Sequence, residues 1–133
     1  MPRSMFVKDH MKTEVVTLRP DMEILRASRV LIEHDISGAP VLDQHGRLVG
    51  MLTERDCLRV VLHADYYGQP GGLVEDYMNT EPVSVHSENT ILEIAERFIK
   101  EIYRRYPVLD GGRLVGVISR RDVMKAMADH YPV

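Results

Sequence analysis

Residues 50–56 read Gly-Met-Leu-Thr-Glu-Arg-Asp, and residues 116–122 read Gly-Val-Ile-Ser-Arg-Arg-Asp. In both, an apolar run stops at a hydroxyl residue, Thr53 or Ser119, and an aspartate follows three positions later, Asp56 or Asp122. That spacing marks a helix start, where the hydroxyl caps an exposed amide and the acid is favoured by the helix dipole. A strand running into a helix is therefore written twice. Outward from this block the likeness continues. Shifted by 67 positions, Val7, Asp9 and Met11 fall on Val74, Asp76 and Met78, and Pro40 to Asp43 fall on Pro107 to Asp110. One residue drops out where Asp43, Gln44, His45 and Gly46 face Asp110, Gly111 and Gly112; beyond it, with a shift of 66, Arg47 to Gly50 fall on Arg113 to Gly116. Asp/Gly clusters between apolar runs are hairpin turns, which tolerate such a change.

The expected hairpins are Ala39 to Leu42 with Leu48 to Thr53, and Tyr106 to Leu109 with Leu114 to Ser119. An amphipathic helix precedes each: Ile24, Leu25, Ser28, Leu31 and Ile32 share one face, as do Ile91, Leu92, Ala95, Phe98, Ile99 and Ile102. Asp21, and Asn89 or Thr90, are the expected N-caps. Short strands Val15 to Leu18 and Val83 to Val85 come first, and helices Glu54 to Ala64 and Arg120 to Asp129 come last. Each unit reads β-α-β-β-α, an α+β class. Sixty residues alone bury too little apolar surface, so the two units should pack sheet to sheet about a pseudo-two-fold axis. The expected division is residues 1–64, a linker at 65–72 that holds Tyr66, Tyr67, Gly68, Gln69 and Pro70, and residues 73–133.

Composition narrows the function. A chain of 133 residues, 44% hydrophobic and 28% charged with a formal charge of −3, has the profile of a soluble globular protein without a broad basic surface, so nucleic acid is not an expected partner. No apolar run approaches the ~20 residues of a membrane span, and Met1 to Lys8 lacks a signal peptide's apolar stretch. The expected address is the cytoplasm. Cys57 stands alone, which excludes a disulfide framework, and Val123 in the matching position points to ordinary packing. His10, His34, His45, His63, His86 and His130 lie on different elements without ligand spacing, and no metal or catalytic constellation emerges. The eight methionines are expected to fill core gaps.

The recurring block has two readings. As a capping box it stabilises a helix by about 1 kcal/mol. Alternatively, free amides at a helix start, a hydroxyl and flanking arginines suit a phosphate, while one carboxylate can accept from both vicinal hydroxyls of a ribose. A nucleoside phosphate presents both groups.

Taken together, Ile36 to Asp43, Gly50 to Asp56, Tyr103 to Asp110 and Gly116 to Asp122 resemble a tandem pair of cystathionine-β-synthase (CBS) domains, a Bateman module, from about Val7 to Met127. The resemblance implies adenine nucleotides or adenosyl compounds bound between the repeats. In one site Ser119, Arg121 and Asp122 would meet phosphate and ribose while Thr13, Val16, Ile36, Ser37, Gly38, Ala39 and Pro40 enclose the base. In its twin, Thr53, Arg55 and Asp56 would face Val83, Tyr103, Arg104, Arg105, Tyr106 and Pro107. Ser37 and Gly38 would leave room for a flat base. Arg104 and Arg105 replace them in the second copy, either crowding the base or, as two buried cations in need of an anion, reaching phosphate; Arg120 is a further candidate.

The function implied by this resemblance is that of a regulatory module, not an enzyme, that senses AMP, ADP, ATP or an S-adenosylmethionine-like ligand, requires no cofactor and signals energy state to an unknown protein partner. A homodimer with Leu58, Met124 and Met127 at its contacts is implied as well. The rival reading is a dimerisation scaffold whose clefts stay empty.

Overall fold

The structure, a computed structural model, describes residues 5–67 and 71–131. Its α+β elements are helix α1 (Ile24–Glu33), strands β1 (Gly38–Leu42) and β2 (Leu48–Thr53), helices α2 (Glu54–Tyr67) and α3 (Val74–Tyr77), then β3 (Val85–His86), α4 (Ile91–Lys100), β4 (Arg105–Asp110), β5 (Arg113–Ser119) and α5 (Arg120–His130), so that the helix–hairpin–helix part of the expected order occurs twice. Helix α2 runs on through residues 65–67, which the sequence assigns to the linker. Gly68, Gln69 and Pro70 of that linker lie outside the described residues. No helix among the described residues is long and apolar enough to cross a membrane.

The compact units do not coincide with the sequence repeats. Residues 16–82 form one continuous unit, while residues 1–15 join 83–133 in a second, split unit. The cause lies in the short segments that open each repeat. In the split unit the backbones of Lys12 and Val117 exchange two hydrogen bonds of 2.9 Å, and Val7 is wholly buried beside Val108 and Ile118. In the continuous unit Asn79 and Met51 make the same exchange at 2.9 and 3.1 Å, and Val74 is buried with Val41 and Leu52. Glycine makes each approach possible. A Cβ on Gly116 would lie 2.6 Å from Met11 Sδ and 2.8 Å from the Lys12 carbonyl, and one on Gly50 would meet Met78 and Asn79 at the same distances. Each repeat thus lends its opening segment to the other repeat's hairpin.

Both hairpins are antiparallel and both slip register at matching positions, Val41/Leu42 and Val108/Leu109. Their turns rest on positive φ at Gly46 in one and at Gly111 and Gly112 in the other. Asp43 Oδ1 closes the first turn by accepting the amides of Arg47 and His45, which holds its carboxyl below the ordinary range.

Four expectations need correction. The strand Val15 to Leu18 condenses to one parallel bridge, Leu18 with Val41, because the next ladder bond back, to the Val16 carbonyl, would need an amide that Pro40 lacks. The strand Val83 to Val85 is displaced to Val85–His86, and the Ser84 carbonyl just before it accepts from the Arg97 guanidinium at 3.2 Å. On the helices, the buried stripes are Ile24, Ala27, Leu31 and Ile91, Ile94, Phe98, while Leu25, Ile32, Leu92, Ile99 and Ile102 stand exposed. Two apolar stripes run side by side on each helix, and only one meets the core. Glu23, not Asp21, occupies the N-cap of α1; Thr90 caps α4 in a reciprocal box with Glu93.

Candidate functional site

In the split unit β5 ends where Ser119 caps α5, its Oγ accepting the Asp122 amide at 3.2 Å while Asp122 Oδ2 accepts the Ser119 amide at 2.9 Å. The Arg120 amide donates to the Arg104 carbonyl at 3.1 Å. The other carboxylate oxygen, Asp122 Oδ1, accepts from Lys12 Nζ at 3.2 Å. Asp122 is 5% exposed and the Lys12 side chain 65%, so a nearly buried anion is held by a cation that stands in solvent.

The continuous unit repeats the design with a different cation. Asp56 Oδ2 accepts the amide and the hydroxyl of Thr53 at 2.9 and 3.0 Å, and the Glu54 amide donates to Ser37 O at 2.9 Å. Asp56 Oδ1 accepts from Arg59, one turn along α2, at 3.2 Å. Most amides at these helix starts are engaged: those of Thr53 and Ser119 meet the aspartate, those of Glu54 and Arg120 the Ser37 and Arg104 carbonyls, and those of Asp56 and Asp122 the capping hydroxyl. The carboxylates keep their capacity: a carboxylate offers about four acceptor positions, and Asp122 uses two of them, on the Lys12 ammonium and the Ser119 amide.

The remaining expected residues divide as follows. Thr13, Ser119, Arg121 and Asp122 lie in the split unit, with Thr13 and Arg121 exposed; Val16 and Ile36 to Pro40 lie in the continuous unit, with Gly38, Ala39 and Pro40 buried. Gly38 opens no space, because a Cβ there would lie 2.9 Å from the Leu52 carbonyl; contact with β2 explains the glycine. Thr53, Arg55 and Asp56 belong to the continuous unit, and Val83 and Tyr103 to Pro107 to the split one. Arg104 is exposed and Arg105 half-buried, so the premise of two buried arginines does not hold. Arg120 donates through Nε to the Tyr103 carbonyl at 3.1 Å. Tyr106 is a core residue. Its ring stacks on Phe98 at 4.6 Å beneath the Arg97 guanidinium, and its hydroxyl donates to Glu101 at 2.6 Å. Burial, with the Glu101 carboxylate, pushes its phenol far above the ordinary range.

Sequence reasoning missed Lys12 and Arg59. Arg59 was within reach, since a base three residues after an acid shares its helix face. Lys12 lies 110 residues from Asp122, and no local pattern joins them. Cys57 is half-buried, and burial pushes its thiol up, as ordinary packing requires. Among the described residues no group of three His, Cys, Asp or Glu could hold a metal ion.

Known proteins carry the same construction. The CBS domain model matches residues 7–63 and 74–129, and the chain belongs to the CBS domain family. It is 33% identical over 118 residues to CBS domain-containing protein YhcV of Bacillus subtilis, covering 88% of this chain and 81% of that one. It is 26% identical to uncharacterized protein MJ1225 of Methanocaldococcus jannaschii over 94% of its own length, and spans 44% of that protein. Among solved structures, CBSX2 in complex with AMP superimposes with a TM-score of 0.83 at 26% identity, over 95% of this chain and 98% of that one. The CBS domain pair of protein MJ0100, in complex with 5-methylthioadenosine and S-adenosyl-L-methionine, gives 0.81 at 25% identity, over 97% and 100%.

Proposed function

We propose that this chain is a regulatory module, without turnover of its own, that binds an adenine nucleotide or adenosyl compound at its hydroxyl–carboxylate helix starts. In this reading binding is relayed in the cytoplasm to a protein partner or a second copy of the chain. The observation that carries it is the pair of nearly buried aspartates, Asp56 and Asp122, each at a strand-to-helix junction, with three and two of about four acceptor positions used. The AMP complex of CBSX2 and the methylthioadenosine and S-adenosylmethionine complex of MJ0100 support the ligand class. Exposed apolar residues on α2 (Leu58, Val61, Leu62) and α5 (Met124, Met127) support a homodimer, because apolar surface of that size is seldom left in water.

Thermal melting with AMP, ADP, ATP, NAD and S-adenosylmethionine tests the reading. A ligand at 100 times its dissociation constant adds about 2.7 kcal/mol to stability. A shift with at least one adenosyl compound is expected. No shift with any of them favours the scaffold reading.

A further inference from the structure

The two helix starts share a backbone design but draw their cations from different places. Arg59 comes from the same helix as Asp56, whereas Lys12 reaches Asp122 from the borrowed opening segment. The position matching Lys12 in the other repeat is Asn79, and the one matching Arg59 is Lys125. Lys12 is therefore a cation on the Asp122 carboxylate that its twin, with Asn79 in the matching position, does not reproduce.

A vicinal diol that engages both oxygens of Asp122 places a hydroxyl on Oδ1 beside the Lys12 ammonium, which donates there at 3.2 Å. A neutral nucleoside brings that ammonium no anionic partner of its own. A ligand with its own anionic group does, and the long, solvent-exposed Lys12 side chain is free to follow it. We propose that Lys12 is a specificity-determining residue, which makes the Asp122 site select nucleotides and other anionic adenosyl compounds over neutral nucleosides. This rests on the ligand class proposed above.

Binding of AMP and of adenosine is measured by calorimetry on the full chain, in an Asp56→Asn background that silences the twin carboxylate, for Lys12, Lys12→Met and Lys12→Arg. With Lys12 present AMP is expected to bind roughly tenfold or more tightly than adenosine, the size of one charge-assisted hydrogen bond. Lys12→Met should bring the ratio close to one, with adenosine binding unchanged or tighter, and Lys12→Arg should restore the preference. A merely structural role would weaken both ligands alike. If both bind and the ratio is the same in Lys12→Met, the assignment to Lys12 is overturned while the ligand class stands. If neither binds the Lys12 protein, while melting of the unaltered chain likewise shows no shift, the ligand class itself falls and takes this assignment with it.

Discussion

Asp122 does two jobs that pull in different directions, and the tension between them can be measured. As a cap it accepts the Ser119 amide, and as a nearly buried anion it needs Lys12. Asp122→Ala should lower stability by about 1–2 kcal/mol through loss of the cap, read by denaturant melting, and should release bound nucleotide from the purified protein. Asn at the same position should keep most of the stability and lose the ligand. The capping reading was legible at this scale, because the hydroxyl and acid are three residues apart. Lys12 was not, because its meeting with Asp122 depends on where the chain returns. Asp43 supplies a pH test: its folded carboxyl titrates below its unfolded value, so its stabilisation is present above the unfolded pKa and lost as pH falls through the folded one. Asp43→Asn should flatten the acid side of the stability profile, lowering stability most at neutral pH and least in acid, where the wild-type carboxyl is itself protonated. Cys57, with its thiol pushed up, should react with iodoacetamide at pH 8 more slowly than a free model thiol.

Among the elements, α4 separates what periodicity can and cannot tell. Its apolar residues are dense enough to mark a helix, yet two adjoining stripes of similar character leave open which one faces the sheet. The structure buries Ile94 and leaves Ile99 86% exposed. Ile94→Ala should cost about 2–5 kcal/mol, whereas Ile99→Ala should change melting by less than about 0.5 kcal/mol at low protein concentration. If Ile99→Ala proves the costlier, the burial assignment is reversed. The edge strands failed for a related reason: Val15 to Leu18 has strand residues, but pairing there is set by Pro40, on a neighbour no local window contains. The hairpins were read correctly because Asp/Gly turns fix both partners locally.

For the whole molecule, the repeat was visible as a shift of 67 and the family with it, but the exchange of opening segments was not. Two similar leaders are equally suited in sequence to their own hairpin or to the other. Cutting the chain decides the matter. Residues 16–82 expressed alone should melt cooperatively, and residues 83–133 alone should not, because they lack Val7 in their core and the Lys12 pairing on Val117. Addition of a peptide spanning residues 1–15 should restore a cooperative transition to the latter. A fragment 73–133 that melts sharply by itself would show that the repeat, not the exchanged unit, is the folding element.

The exchange also sets a timetable for biosynthesis. Once residue 82 has cleared the ribosome, everything the continuous unit needs is outside, and it can close early. Residues 5–15 leave the ribosome before any of it, yet their seat on β5 and beside α4 does not exist until residues 90–119 have followed. Of these segments the earliest made is the last to be docked.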